Sequence, residues 1–107
     1  LDNKFHVDID KVIHERARLL ILSYLASSNE KRIQFNELKE NLSFTSGNLS
    51  VQLKNLEEAG YIKIHKKIMD NKPLTSVSLT VAGLESLMEY LQQMEGLINK
   101  VKTSRED

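Results

Sequence analysis

Cysteine is absent from the 107 residues, which excludes a disulfide-stapled scaffold, a thiolate metal site and a cysteine nucleophile. Long apolar runs are missing as well. The longest, Leu19 to Leu22, falls far short of the ~20 residues a spanning helix needs, so no membrane segment is expected. Leu1-Asp2-Asn3-Lys4-Phe5 lacks the apolar core and cleavage pattern of an export signal, so the expected location is the cytoplasm; residue 1 is not Met, which leaves a signal upstream of it open. No Ser/His/Asp set, glycine-rich phosphate loop or paired catalytic carboxylate stands out, so neither catalysis nor a cofactor is expected. His6, His14 and His65 have no partner at metal-ligand spacing, which points to surface or structural roles and no metal site. An excess of either charge is also lacking. Fifteen Lys+Arg balance fifteen Asp+Glu, and taken whole that balance argues against a nucleic-acid binder, which usually carries a basic surplus.

What is present is an ordinary globular composition at a length that allows one domain, residues 1–107, with a core of its own. Ile13, Ala17, Leu20 and Tyr24 recur at helical spacing, widened by Ile21 and Leu25, and predict a core-facing helix over about residues 12–27. Arg32-Ile33-Gln34 suits a short strand, and Phe35, Leu38 and Leu42 mark a second helix of about two turns. Thr45 can cap a third, over about residues 46–59. Phe44 before the cap and Leu49 four residues after it have the spacing of a hydrophobic staple, which sets the angle at which chain meets helix. Leu49, Leu53, Leu56 and Ala59 form its buried stripe, and Gly60 stops it.

Beyond Gly60 the period changes to alternation. Ile62 and Ile64 point one way, Tyr61, Lys63 and His65 the other. Asp70-Asn71-Lys72-Pro73 reads as a turn, and Val77 and Leu79 alternate with serines in a return strand, making a β-hairpin with a basic tip. Leu79 and Leu84 then flank Thr80 as a second stapled cap. Leu84, Leu87, Leu91, Met94, Ile98 and Val101 follow at alternating spacings of three and four, the pattern of a coiled-coil seam. A helix packed only on its own domain would drift toward period 3.6, so residues 81–101 are expected to be a dimerisation helix, with a frayed polar tail at 102–107.

Three helices, a hairpin and a closing helix make a mainly α, α+β architecture: a winged helix-turn-helix over residues 12–80 followed by the dimerisation helix. The segment from Asn41 to Tyr61, with Thr45-Ser46-Gly47-Asn48-Leu49-Ser50 and Leu53-Lys54-Asn55-Leu56-Glu57-Glu58-Ala59-Gly60-Tyr61, closely resembles the recognition segment of compact, single-domain prokaryotic MarR/ArsR-like winged-helix regulators. Leu79-Thr80-Val81-Ala82-Gly83 matches the Leu-Thr-x-x-Gly that follows the wing in that family, and Ile13-His14 with Arg18 to Leu22 resembles its first helix. One departure is Glu15-Arg16 where the family's first helix often opens with Ser-Pro. The resemblance implies a homodimeric, DNA-binding transcriptional regulator, often a repressor, whose wing meets the minor groove or flanking phosphates.

The residues support a DNA face on their own account. With its leucines buried, the third helix turns Ser46, Asn48, Ser50, Val51, Gln52 and Asn55 outward as candidate base-reading residues, and no carboxylate occurs from Thr45 to Leu56. Asn and Gln can pair bidentately with adenine in the major groove. Ser46 and Gly47 in the first turn, behind the cap Thr45, suit a phosphate, Gly47 by allowing close backbone approach, and Thr45 and Gly47 are candidate backbone contacts. Lys54, Lys63, Lys66 and Lys67 are candidate phosphate contacts, with Asn71 and Lys72 at the wing tip on the minor groove. Glu57 and Glu58 read as solvated charges. The expected partners are a palindromic DNA duplex and a second copy of the chain; no convergent polar set points to a small-molecule effector. The alternative is a winged-helix protein-interaction module that binds no DNA. The zero charge itself divides unevenly: residues 61–80 carry four basic groups against one acidic, residues 81–107 three against five. A positive wing and a negative closing helix are compatible with DNA binding.

Overall fold

The structure, a computed structural model, describes residues 7–105. The expectations for Leu1–Phe5, for His6 and for the last two residues of the tail lie outside the described residues. The first helix, α1 (Arg16–Ser27), starts four residues later than its apolar spacing predicts. The Asp10 carboxylate accepts the N–H groups of Val12 and Ile13 at 2.8 and 3.1 Å and closes a separate turn ahead of the helix. Glu15 then caps α1 with extended backbone, its carboxylate taking the Ala17 and Arg18 N–H groups at 3.2 Å each. A side-chain oxygen at that position satisfies donors the helix cannot. Ile13, outside the helix, is nonetheless fully buried with Ala17, Ile21, Leu22 and Leu25, whereas Leu20 and Tyr24 are half-buried. The core stripe is therefore rotated toward Leu22 from the one the spacing suggests.

Strand β1 (Ile33–Gln34) leads directly into α2 (Phe35–Asn41). Ser43 ends α2 in the left-handed region at φ 58°. Its N–H donates to Glu40 O at 3.3 Å while Phe44 N–H donates to Lys39 O at 2.9 Å, the paired bonds of a Schellman termination. Helix α3 (Ser46–Glu58) follows, capped by Thr45, whose hydroxyl accepts Asn48 N–H at 3.1 Å. Phe44 and Leu49 are both buried, as the staple requires. Gly60, at φ 82°, repeats the Schellman termination through bonds of Gly60 N–H to Glu57 O and Tyr61 N–H to Leu56 O.

Strands β2 (Ile62–Met69) and β3 (Lys72–Leu79) form the wing, and β1 adds to β3, so the antiparallel sheet runs β1-β3-β2. The wing's turn is shorter than its composition suggests. Only Asp70 and Asn71 form it, both left-handed as a two-residue type I′ turn demands. Lys72 and Pro73 belong to β3, opposite Met69 and Ile68. Ladder pairs alternate, so Pro73 next to the turn-closing pair falls at a non-hydrogen-bonded position, where its missing N–H costs nothing.

The last helix, α4 (Val81–Ser104), is capped by Thr80, which accepts Gly83 N–H at 2.9 Å and donates to Gly60 O at 2.7 Å. It runs through Lys102, Thr103 and Ser104, residues expected in the frayed tail. At 1.5 Å per residue it is about 36 Å long and stretches the molecule to 64 Å along its long axis. One apolar cluster joins α1, α2, α3, the sheet and the first half of α4, with no buried polar or charged side chain among the described residues. Tyrosines brace its edges. Tyr24 OH donates to Glu37 at 2.6 Å and accepts from Asn41 at 2.7 Å, holding α2 against α1; Tyr61 OH donates to Asp10.

A Cβ at Gly83 would overlap the Tyr61 carbonyl oxygen and press on Leu79. Gly83→Ala is therefore expected to lose at least ~2 kcal/mol in denaturant unfolding, since backbone rather than a pliant side chain must move. Tyr61 is held above its ordinary pKa of 10.0 by burial and then by its bond to Asp10, and Tyr24 by its bond to Glu37. A raised phenol contributes stability that is complete below the unfolded value and is lost as pH rises through the folded one. Stability measured over roughly pH 8 to 12 should hold to about pH 10 and then fall, and Tyr61→Phe should remove part of that fall.

Candidate nucleic-acid interface

The buried row Leu49, Leu53 and Leu56 fixes how α3 is rotated, and every predicted reading residue except Gln52 is exposed. Val51 is 57% exposed. The helix has two flanks. Toward α1 lie Asn48, Gln52 and Asn55; toward the wing lie Ser50 and Lys54, which share a cleft of about 450 Å³ with Phe35, Ile64, Lys66 and Thr75. The first turn carries no acidic residue. Thr45 takes the Asn48 N–H, and the Ser46 and Gly47 N–H groups are ones a helix leaves without an intrahelical partner. No protein atom lies within 4 Å of a Cβ placed on Gly47, so packing within the chain does not require glycine there.

Gln52 is half-buried because it is engaged from behind. Arg18 of α1 donates through Nη1 to Gln52 Oε1 at 2.9 Å, and Gln52 Nε2 donates to Asn48 Oδ1 at 3.2 Å. Arg18 is itself anchored, donating through Nε to Val12 O at 2.6 Å and lying 3.7 Å from Glu15. Its side chain is only 18% exposed. Arg18 is the site residue that sequence reasoning missed. It sits one position from Ala17 in a helix whose apolar period explains its neighbours, and only the crossing of α1 over α3 brings it to Gln52.

The wing separates lysines that the sequence suggests would act together. Register places Ile62, Ile64, Lys66 and Ile68 on the face toward α3, and Lys63, His65, Lys67 and Met69 on the other. Lys66 therefore faces Lys54 across the cleft, whereas Lys63 and Lys67 lie on the back face with Lys72. Lys63 and His65 there border Lys31 and Arg32, and His65 Nε2 pairs with Ser78 Oγ at 2.8 Å. Asn71 occupies the turn. Glu57 is exposed, as a solvated charge should be; it also lines the cleft with Lys54 and Lys66 and accepts Ile64 N–H at 3.4 Å, linking α3 to the wing. His14 meets Tyr90 OH at 2.8 Å, a contact between α1's approach and α4.

The predicted seam also divides. One of its rows faces inward: Leu87 is 2% exposed and Met94 packs on the same core, so the chain's own head takes them up, and only Val101 of that row stays exposed. The other row, Leu84, Leu91 and Ile98, is exposed throughout and is joined by Met88 and Val81, which the heptad pattern passed over. Tyr90, also overlooked, is buried beside Leu87. A helix near period 3.6 serves its own domain with one stripe and leaves a second stripe open beside it.

Among the described residues no helix is long and apolar enough to cross a membrane, and no group of three His, Asp or Glu side chains could hold a metal. A protein of Methanocaldococcus jannaschii, itself uncharacterized, is 29% identical over 92 residues, spanning 86% of this chain and 98% of the relative. A transcriptional regulator homologue from Pyrococcus horikoshii superposes with a TM-score of 0.77 at 28% identity, over 84% of this chain and 87% of that one. MepR of S. aureus, solved in complex with DNA, shares the fold at a TM-score of 0.69 and 17% identity, over 90% of this chain and 70% of that one. Residues 17–98 match the family described as winged helix DNA-binding domain. That span takes in α1, both helices of the helix-turn-helix, the wing and most of α4, so the chain belongs to the winged helix DNA-binding domain family.

Proposed function

We propose that the protein is a homodimeric, sequence-specific transcriptional regulator, most simply a repressor, acting on a palindromic operator in the cytoplasm. The observation that carries this is the outer face of α3: exposed, free of carboxylates from Thr45 to Leu56, and presenting amides and hydroxyls beside Lys54 and Lys66. Such a face suits the major groove, where a carboxylate would meet phosphate repulsion. Ser46, Asn48, Ser50, Val51, Gln52 and Asn55 would then reach base edges, and Thr45, Gly47, Lys54 and Lys66 the backbone. Asn71 and Lys72 at the tip would follow the minor groove, with Lys63 and Lys67 toward flanking phosphates.

The exposed row Leu84, Met88, Leu91 and Ile98, extended by Val101, gives a second copy an apolar surface to cover. Burying each such side chain is worth up to roughly 1.5–3 kcal/mol. Two-fold symmetry then sets half-sites about 10 bp or a multiple apart.

Selection of bound sequences from a random duplex pool, followed by a salt titration on the winner, tests this directly. A palindromic consensus is expected; no duplex binding even at low salt would favour a protein-interaction module instead. Lys72→Ala should weaken binding to all sequences alike and lower the salt slope by about 0.9. Leu91→Glu with Ile98→Glu should yield monomers in sedimentation while leaving the circular dichroism spectrum unchanged; a persistent dimer would place the seam elsewhere.

A further inference from the structure

The bonds between Arg18, Gln52 and Asn48 constrain which base the helix can read. Arginine has donors and no acceptor, so the Gln52 atom at 2.9 Å from Nη1 must be the amide oxygen. The Gln52 nitrogen then faces Asn48, and the Asn48 atom that receives it must likewise be the oxygen. Amide orientation usually rests on choice; here a charged donor dictates it. Both oxygens already accept a bond from within the protein, which leaves each at most one lone pair against three uncommitted N–H hydrogens. The hydrogens left over are one on Gln52 and two on Asn48, all donors, with a guanidinium behind them.

We propose that Arg18 is a positioning residue for base reading, which by holding the Gln52 amide makes Asn48 and Gln52 a donor face that selects guanine over adenine. The proposal rests on α3 reading DNA, as argued above. In the major groove guanine offers two acceptors, N7 and O6, whereas adenine offers an acceptor and a donor. A glutamine free to rotate can present its oxygen to the adenine amino group. A glutamine whose oxygen is tied to Arg18 presents its N–H. Arg18 is suited to the task because Val12 O holds its Nε, Glu15 lies 3.7 Å from the same Nη1 that bonds Gln52, and its side chain is largely covered, so it does not follow Gln52.

The test compares selected sequences and salt titrations for the unaltered chain, Gln52→Ala and Arg18→Met. The unaltered protein is expected to require guanine at the position where Gln52→Ala loses its preference. Arg18→Met should reduce the guanine-over-adenine ratio there about tenfold, leaving other positions and the salt slope unchanged, and should add nothing in a Gln52→Ala background. Adenine at that position in the unaltered protein, or an unchanged ratio in Arg18→Met, would overturn the proposal. So would uniform weakening on all sequences with a lower salt slope, which would make Arg18 a phosphate contact. If the unaltered protein shows no sequence preference at all, the DNA-reading function itself falls. Because Arg18→Met also removes the bond to Val12, 15N relaxation of the Gln52 side-chain amide in the unaltered, DNA-free protein provides an independent measure. An amide as ordered as the backbone is expected, and a freely rotating one would overturn the proposal.

Discussion

Four elements converge where α3 gives way to the wing and the wing to α4. Gly60 stops α3 in a left-handed turn, and its carbonyl receives the Thr80 hydroxyl. The next carbonyl, that of Tyr61, accepts Thr80 N–H at 3.1 Å and occupies the space where a Cβ on Gly83 would lie. The Tyr61 side chain reaches the other way, to Asp10, whose carboxylate also organises the turn ahead of α1. The Leu-Thr-x-x-Gly segment is thus explained by contact: threonine caps one helix while donating to the end of another, and glycine admits a backbone oxygen against the first turn of α4. If this junction shifted, the wing, α3 and α4 would move relative to one another.

Around that junction the molecule separates burial from recognition. The leucine row of α3 is sealed in the core, which leaves the opposite face free of packing constraints and open to select for polarity alone. Its amides are not equivalent, however. The α1 flank is braced by Arg18, while the wing flank opens into a cleft between Lys54 and Lys66. The balanced net charge hides a basic surplus on the wing, four against one over residues 61–80, which acidic residues spread over the rest of the chain offset. Under the proposed function, such a distribution would give modest, salt-sensitive attraction to any duplex and leave the remainder to paired half-sites and base contacts.

Most of the fold was legible because its signals are local. Thr45, Thr80 and Gly60 act through bonds three or four residues away, and the change from helical to alternating period at Gly60 marks the strand directly. Local pattern misled where two causes share a spacing. The seam residues Leu84 to Val101 follow a heptad, but Leu87 and Met94 belong to the head's own core and Met88 to the open surface. The turn suggested by Asp70 to Pro73 was too long because proline's turn preference says nothing of its place in a ladder. The start of α1 was placed too early because Ile13 is apolar and buried without being helical.

Sequence alone determined the order of elements, the caps and stops of the helices, and the carboxylate-free face of α3, since each depends on residues within a few positions of one another. Tertiary structure decided what depends on how elements cross. It put Arg18 of α1 behind Gln52 of α3, brought Lys66 of the wing across a cleft from Lys54 of α3, and divided the stripes of α4 between the core and the surface. Contacts between residues 34 positions apart, as Arg18 and Gln52 are, leave no periodic trace in a chain, because their geometry exists only once the core has fixed the angle between the helices.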